Sequence, residues 1–218
     1  MQIKGCLFDL DGVIVDTAKY HYIAWKALAN ELGFDFTEHD NERLKGVSRM
    51  ASLEILLEIG GKTMDEATKL KMATKKNDNY CEFINKMEPD EIMPGAKDFL
   101  LELRKNGVKV ALGSASKNAL TILDRLELTD LFDAIIDGNK VANAKPDPEV
   151  FLKGAEALGL KPSECVVFED AEAGVQAALA GGMKAVGIGS PVVLGEAHLV
   201  VDCLHAINLL QLKNAFEK

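Results

Sequence analysis

The chain has 218 residues, of which 48% are apolar and 27% are charged, and its net charge is −9. This composition supports a sizeable folded core and excludes a disordered chain. Because so acidic a chain repels phosphate backbones and anionic lipids, we expect neither a nucleic-acid partner nor a membrane partner. A small phosphorylated substrate stays compatible with this charge, since a pocket can be locally positive.

Cysteine usage and hydropathy favour a cytoplasmic protein. None of the four cysteines belongs to a C-x-x-C pair, so neither a zinc knuckle nor a thioredoxin-type motif is expected. No apolar run approaches the roughly 18 residues that a membrane span needs. The first apolar run is interrupted by Asp9 too early for a signal peptide.

The first strand and the segment after it differ in character. Residues 3–8 form an apolar run that predicts a buried strand. Residues 17–87 show no strand pattern and contain as many basic as acidic residues, whereas the rest of the chain carries the whole negative charge. The predicted helices of this segment begin at the capping residues Asp16, Ser48 and Thr63 and end near residues 32, 60 and 87. The sequence therefore predicts an all-helical insert after the first strand.

Beyond the insert, short apolar runs alternate with helical patterns. In chain order, the predicted elements are helix 96–106, strand 108–112, helix 117–126, strand 134–136, helix 148–158, strand 165–168, helix 171–180 and strand 184–188. Such alternation is typical of a parallel sheet that helices cover on both faces. We therefore predict an α/β fold with a doubly wound, Rossmann-like core formed by residues 1–16 and 88–218, and an inserted helical cap domain formed by residues 17–87.

Two acidic pairs follow predicted strands. Asp9 and Asp11 come after the first strand, and Glu169 and Asp170 come after strand 165–168. In parallel sheets ligands bind at the carboxyl ends of the strands. Four acids brought together there would raise each other's pKa values unless a cation lay among them, and Mg²⁺ prefers such oxygen ligands. The simpler alternative is that these acids only cap helices.

Two further segments suit a phosphate group. Ser114 and Ser116 lie between a strand and a predicted helix, where hydroxyl and N–H groups can bind a phosphate, although ordinary helix capping would explain them too. Lys145 is followed by Pro146 and Pro148, which restrict the backbone and can aim the ammonium group inward. The alternative for Lys145 is a solvated surface lysine.

These four segments, in this order, resemble the four motifs of the haloacid dehalogenase superfamily, whose fold is a doubly wound sheet with a cap inserted after the first motif. The resemblance implies that Asp9 is a nucleophile that becomes an aspartyl phosphate and that Asp11 is a general acid and base. It implies that Ser114 and Lys145 contact the phosphate. It also implies one Mg²⁺ held by Asp9, by the backbone carbonyl of Asp11, and by Glu169 and Asp170.

The helical insert contains polar groups that could bind a sugar phosphate. Thr17, His21 and Trp25 follow one another at helical spacing and share a face. Arg49 stands where a glycine-containing turn leads into a helix, and it can grip a phosphate with two hydrogen bonds. Each of these residues also has a simpler explanation without a binding role. His21 can be a surface residue, Trp25 can pack in the core of the insert, and Arg49 can be a charge at the rim of the site. The lysine pair that contains Lys76 can form a solvated helix face.

Together the insert and core segments resemble the β-phosphoglucomutase family. This resemblance implies that Arg49 holds a non-reacting phosphate, that His21 couples substrate binding to Asp11, and that Lys76 contacts a sugar. The other residues implied in catalysis or substrate binding are Thr17, Trp25, Gly46, Val47, Ser48, Ala115, Ser116, Lys117 and Asn118.

The implied activity is an isomerase that interconverts β-glucose 1-phosphate and glucose 6-phosphate through β-glucose 1,6-bisphosphate. Two alternatives stay open: a phosphatase of the same superfamily that acts on a small sugar phosphate, and a non-catalytic member whose cap binds a partner. Dinucleotide binding has weak support, because Gly187 and Gly189 follow a strand but the third glycine of the fingerprint is missing. Nothing suggests a coiled coil, so a monomer is expected.

Overall fold

The computed structural model describes residues 2–44 and 47–217. Its sheet has six strands: β1 (Gly5–Phe8), β2 (Lys109–Gly113), β3 (Ala134–Ile136), β4 (Cys165–Glu169), β5 (Lys184–Ile188) and β6 (Leu199–Val201). All strand pairs are parallel, in the order β3-β2-β1-β4-β5-β6. Phe8, at the end of β1, lies between Leu112 and Phe168 in register. The chain therefore leaves β1, β2 and β4 at neighbouring points of one sheet edge.

Helices surround this sheet and make up the insert. The insert contains α1 (Ala18–Glu31), α2 (Glu38–Glu42), α3 (Arg49–Ile59) and α4 (Glu66–Ile84). The later helices are α5 (Ala96–Lys105), α6 (Ala119–Arg125), α7 (Glu149–Leu158), α8 (Glu172–Ala180) and α9 (Leu209–Phe216). The predicted doubly wound α/β core is confirmed, and residues 17–44 and 47–87 contain helices but no strand.

Alternate residues of β1 serve opposite faces of the sheet, as strand geometry requires. Cys6 and Phe8 pack into a cluster with α5, α6 and α9, whereas Leu7 packs into a second cluster with α7 and α8. The rings of Phe8 and Phe168 stack with their centroids 4.6 Å apart. Since both faces are covered, the strands are apolar throughout and the polar residues fall at the strand ends.

The insert has its own apolar core and joins the sheet domain by two adjacent chain segments. Its core is built around Trp25, Phe36 and Leu53. Val15, before the insert, forms an antiparallel bridge with Ile92, after it. This pairing puts the entry and the exit of the insert side by side near the end of β1. The precise division at residues 17 and 87 stays a prediction.

Several predicted boundaries need correction. Thr17, not Asp16, occupies the N-cap position of α1, although Asp16 still accepts a hydrogen bond from the N–H of Ala18. The capping box predicted from Thr63 is wrong, because Asp65 caps α4 by accepting from the N–H of Thr68. Ser48 caps α3 as predicted.

Three elements carried no prediction: α2, β6 and α9. The first two are short. Strand β6 also lies at the edge of the sheet and pairs with only one neighbouring strand, so its sequence pattern is weakly constrained. Among the described residues, no helix has both the length and the apolar character needed to cross a bilayer.

Candidate active site

Three carboxylates meet where β1 and β4 end. Asp9 directly follows β1, and its N–H donates to the carbonyl of Phe168 in β4. Glu169 ends β4 and Asp170 follows it. One carboxylate oxygen from each of Asp9, Glu169 and Asp170 can be chosen so that all three lie within 4.8 Å of one another. The register of β1 and β4 brings Asp9 beside the adjacent pair Glu169 and Asp170.

Lys145 is a buried cation that contacts two of these three carboxylates. Its Nζ donates to Asp9 Oδ1 at 2.6 Å and to Glu169 Oε1 at 3.1 Å, and the residue is only 6% exposed. Burial alone would lower the pKa of Lys145, but the charges of Asp9 and Glu169 outweigh burial and raise this pKa above its usual value. Lys145 is therefore a fixed positive charge, and its alternative as a solvated lysine is wrong.

The surroundings of Glu169 favour a further cation in addition to Lys145. Burial, followed by the charge of Asp9, raises the pKa of Glu169 well above its usual value. Glu169 Oε2 is also buried without a hydrogen-bond partner among the described residues, which is costly unless something else binds it. Such an orphaned oxygen beside two other carboxylates fits a divalent cation with hard oxygen ligands.

Two glycines keep this corner open. A Cβ atom on Gly12, where φ is +80°, would lie 2.1 Å from Asp170 Oδ2. A Cβ atom on Gly174 would lie 1.7 Å from Glu169 Oε1. Any larger residue at either position would displace a carboxylate of the acidic group.

Asp11 lies two residues after Asp9 and is tied to the start of the insert. The Thr17 hydroxyl donates a hydrogen bond to Asp11 Oδ1. Burial, followed by the charge of Asp9, raises the pKa of Asp11 to about 6. A carboxyl group with such a pKa can gain and lose a proton near neutral pH, as a general acid and base must.

The loop between β2 and α6 presents two serines in succession. Ser114 Oγ accepts from the N–H of Ser116 at 3.0 Å, and Ser116 Oγ accepts from the N–H of Asn118 at 3.2 Å. Both hydroxyls therefore act as local caps, yet each keeps its own hydrogen to donate. Within this loop Ala115 is half-buried and Lys117 is exposed. Helix α6 begins at Ala119, two residues later than predicted.

On the insert side, Lys76 is buried, so the expectation of a solvated face is wrong for this residue. It is 4% exposed, its Nζ lies 2.8 Å from His21 Nδ1, and it lies 4.7 Å from the ring centroids of Trp25 and Tyr80. Burial, followed by the charge of Arg49, lowers the pKa of Lys76 to about 7. Its neighbour in sequence, Lys75, is exposed and pairs with Glu31.

Burial, followed by the charge of Lys76, lowers the pKa of His21 well below its usual value. His21 is therefore neutral. When Lys76 is charged it can only donate, so His21 Nδ1 accepts and Nε2 carries the ring proton.

Other sequence-predicted residues of the insert lie at different depths. Trp25 is 2% exposed and belongs to the core of the insert, and its ring faces the ammonium group of Lys76. Val47 is half-buried, and the hydroxyl oxygen of Ser48 accepts a hydrogen bond from the N–H of Ala51. Gly46 lies outside the described residues.

The structure also reveals a residue that the sequence prediction missed. Asn77 Oδ1 accepts hydrogen bonds from Arg49 Nη2 at 2.7 Å and from Asn118 Nδ2 at 3.0 Å. Burial lowers the pKa of Arg49 from its usual value. The three side chains bring together the predicted second anion site, formed by α3 and the loop before α6. The one available signal was the polar run on α4, in which Asn77 follows Lys76.

Comparison with known proteins agrees with this geometry. Residues 3–182 match the family model described as hydrolase: haloacid dehalogenase-like hydrolase. The chain is 41% identical over 218 residues to a β-phosphoglucomutase of Bacillus subtilis (strain 168), which covers 99% of this chain and 96% of that protein. A crystal structure of β-phosphoglucomutase from Clostridium difficile superposes with a TM-score of 0.95 at 41% identity, covering 99% of this chain and 98% of the other.

A phosphatase is a more distant relative. The phosphorylated carbohydrates phosphatase of Thermotoga maritima is 32% identical over 185 residues, which cover 84% of this chain and 83% of that protein. The likeness to the mutases is both higher in identity and longer in coverage. The chain therefore belongs to the haloacid dehalogenase-like hydrolase family and, within it, to the β-phosphoglucomutases.

Proposed function

We propose that this chain interconverts β-glucose 1-phosphate and glucose 6-phosphate by two phosphoryl transfers through Asp9. One observation carries the proposal: the described residues include two separate groups of side chains that suit phosphate groups. At one end Lys145 contacts Asp9 and Glu169, and at the other Asn77 contacts Arg49 and Asn118. An enzyme that transfers phosphate between two hydroxyls of one sugar needs both ends, whereas most phosphatases need only the first.

The first end supplies the nucleophile. Asp9 would attack phosphorus while Lys145, fixed 2.6 Å away, stabilises the charge that develops on the phosphoryl oxygens. Asp9, Glu169 and Asp170 would hold one Mg²⁺, which supplies positive charge against the phosphoryl oxygens and the crowded carboxylates. Ser114 would donate its hydroxyl hydrogen to the same phosphate.

Asp11 would move the proton in each half of the reaction. In the first half, Asp11 takes the proton of the 6-hydroxyl of β-glucose 1-phosphate as that oxygen attacks the phosphate on Asp9. This step gives β-glucose 1,6-bisphosphate and frees the Asp9 carboxylate. The bisphosphate then turns around, Asp9 takes the phosphate from carbon 1, and Asp11 returns the proton to the departing oxygen. Glucose 6-phosphate is released, and Asp9 is phosphorylated again.

The insert would bind the sugar and the phosphate that is not reacting. Arg49 and the loop formed by Ser116, Lys117 and Asn118 would grip that phosphate. His21 and Lys76 would contact the sugar hydroxyls. Since Thr17 bonds Asp11 at the entry to α1, we expect the position of the insert to control whether Asp11 can reach the attacking oxygen. Water that enters without the sugar then finds no base, and the phosphate on Asp9 survives.

The test compares β- and α-glucose 1-phosphate in a coupled assay for glucose 6-phosphate, with Mg²⁺ and the bisphosphate present. We expect turnover of the β anomer, stimulation by the bisphosphate, and labelled phosphate on the peptide that contains Asp9. The variant Asp9→Asn should carry no label. Replacement of Arg49 by Ala should abolish isomerisation without preventing phosphorylation of Asp9.

A different outcome would favour the phosphatase alternative. Free phosphate released from several sugar phosphates, with no stimulation by the bisphosphate, would contradict the mutase. The expected monomeric state and cytoplasmic location stay predictions, which gel filtration and cell fractionation would check.

A further inference from the structure

Asn77 connects the two parts of the second anion site through a single oxygen atom. Its Oδ1 accepts from Arg49 Nη2 at 2.7 Å and from Asn118 Nδ2 at 3.0 Å. Arg49 opens α3 and Asn77 lies within α4, both in the insert, whereas Asn118 precedes α6 of the sheet domain. A side chain of α4 therefore joins a cation of the insert to an amide of the core.

Cys81, one helical turn after Asn77, closes a ring with the two asparagines. The Asn77 Nδ2 group donates to Cys81 Sγ at 3.6 Å, and the thiol donates to Asn118 Oδ1 at 3.8 Å. With the Asn118 contact to Asn77 Oδ1, each of the three side chains gives one hydrogen bond and receives one. The ring fixes the orientation of both amides, because the Asn77 nitrogen faces sulfur and its oxygen faces Arg49.

We propose that Asn77, held by Cys81, is a positioning residue that orients Arg49 and Asn118 for the non-reacting phosphate of the substrate. This inference rests on the proposed function and deepens it. The guanidinium group of Arg49 has five N–H groups. Asn77 accepts from one of its nitrogens and leaves the remaining N–H groups for an anion. Asn118 is likewise turned by its contacts with Asn77 and Cys81, while its backbone N–H remains capped by Ser116.

A neutral acceptor suits this position better than a carboxylate. An aspartate at position 77 would pair with Arg49 as an ion pair, and its charge would oppose a phosphate dianion. The amide orients the guanidinium group without cancelling its charge. This requirement distinguishes positioning of an anion-binding residue from simple adhesion between the insert and the core, which a carboxylate would serve equally well or better.

The two phosphate-binding groups also come from different parts of the chain. Arg49 and Asn118 share the acceptor only while α4 lies against the loop before α6. The second anion site is therefore complete only in this arrangement of insert and core.

The test uses the full-length enzyme and four variants. Asn77→Ala removes the acceptor, and Asn77→Asp keeps the shape but adds charge. Asn79→Ala and Asn79→Asp, at a half-buried position on the same helix, are the matched controls. Three quantities are measured: KM for β-glucose 1-phosphate, Kd for β-glucose 1,6-bisphosphate by calorimetry, and the rate at which acetyl phosphate, which has one phosphoryl group, phosphorylates Asp9.

We expect Asn77→Ala to raise KM and Kd about 10- to 100-fold, the range for loss of a hydrogen bond to a charged group. Asn77→Asp should raise KM and Kd further, since the new carboxylate would form an ion pair with Arg49 and compete with the phosphate. Phosphorylation of Asp9 by acetyl phosphate should change less than about twofold in either variant, because that donor has no second phosphate. The Asn79 variants should match the parent protein within about twofold.

The inference is overturned if both Asn77 variants bind the bisphosphate like the parent, or if Asn77→Asp binds it better than Asn77→Ala. Equal losses of bisphosphate binding and Asp9 phosphorylation would show a merely structural role. Failure of the proposed function looks different: the parent protein itself would not isomerise the sugar phosphate. The calorimetric comparison still decides the role of Asn77 in that case, because it needs binding but no turnover.

Discussion

Lys145 in the core and Lys76 in the insert are both nearly inaccessible, at 6% and 4% exposed. Their pKa values nevertheless move in opposite directions. Burial lowers both, but Lys145 lies within 3.1 Å of two carboxylates and its pKa rises. Lys76 lies against His21, two aromatic rings and the charge of Arg49, so its pKa falls to about 7. The partners of a buried amine, rather than its burial, decide its charge.

This contrast separates two groups of side chains: the core end, where Lys145 contacts Asp9 and Glu169, and the insert end, which contains Lys76 and Arg49. The core end keeps a permanent positive charge where phosphoryl transfer would occur. At the insert end, burial and the charge of Arg49 disfavour the protonated form of Lys76, and a phosphate bound beside it would favour that form.

The largest expected effect is that of removing Lys145. In Lys145→Ala, Asp9 and Glu169 remain buried without their cation, which should lower the free energy of unfolding by about 3–5 kcal/mol without Mg²⁺. Urea denaturation at pH 7 measures this loss, and added Mg²⁺ should restore part of it. Lys153→Ala removes a partly exposed partner of Glu149 and is the control, which should unfold like the parent protein. Equal stability of Lys145→Ala and the parent would contradict the account of the core end.

Removal of His21 should act on catalysis more than on stability. His21 Nδ1 lies 2.8 Å from Lys76 Nζ, and the centroid of its ring lies 4.2 Å from that of Tyr80. We expect His21→Ala to lower mutase turnover by about 100-fold, the lower range for loss of proton-transfer assistance, while hydrolysis of the phosphate on Asp9 falls less. The ratio of glucose 6-phosphate formed to phosphate released is the measurement. An unchanged ratio would exclude the coupling between His21 and Asp11.

The sequence predicted the core end better than the insert end, for a physical reason. Strands β1, β2, β4 and β5 are apolar runs buried on both faces, so their ends, and the acids and serines that follow, are visible in the local pattern. A parallel sheet then brings those ends together whatever the intervening sequence is.

The insert end depends on long-range contacts. The partners of Asn77 are 28 and 41 residues away in the chain. Lys76 and its neighbour Lys75 are the same residue type, yet one is buried and one is exposed, because they lie about 100° apart around α4. Local rules also fail by small shifts: Asp65 rather than Thr63 caps α4, because both residue types can accept from an N–H group of the first helical turn and the sequence alone does not rank them.

The pH dependence of stability tests the state of Lys76. Because its pKa in the folded chain is about 7 and that of an unfolded lysine is about 10.4, the unfolded chain binds more protons between these values. The parent protein should therefore gain stability over this range as the pH rises, by at most about 1.4 kcal/mol per pH unit, and Lys76→Met should lack this gain. Urea denaturation of both proteins at pH 6, 7, 8 and 9 measures the difference. Parallel profiles would show that Lys76 titrates normally.

Replacement of Trp25 has the smallest expected effect on KM. It tests whether this side chain contacts the substrate or only packs in the core of the insert. Trp25 is 2% exposed, and its ring centroid lies 4.7 Å from Lys76 Nζ. We therefore expect Trp25 to influence substrate binding only through that ammonium group. Trp25→Phe keeps an aromatic face and should raise KM less than about fivefold, the range of an altered cation–π contact. It should lower the unfolding temperature, because the smaller ring leaves a cavity in the core of the insert. A much larger rise in KM with unchanged stability would mean that Trp25 touches the sugar directly. Lys76, which is buried against Trp25, would then have to move aside to admit the sugar.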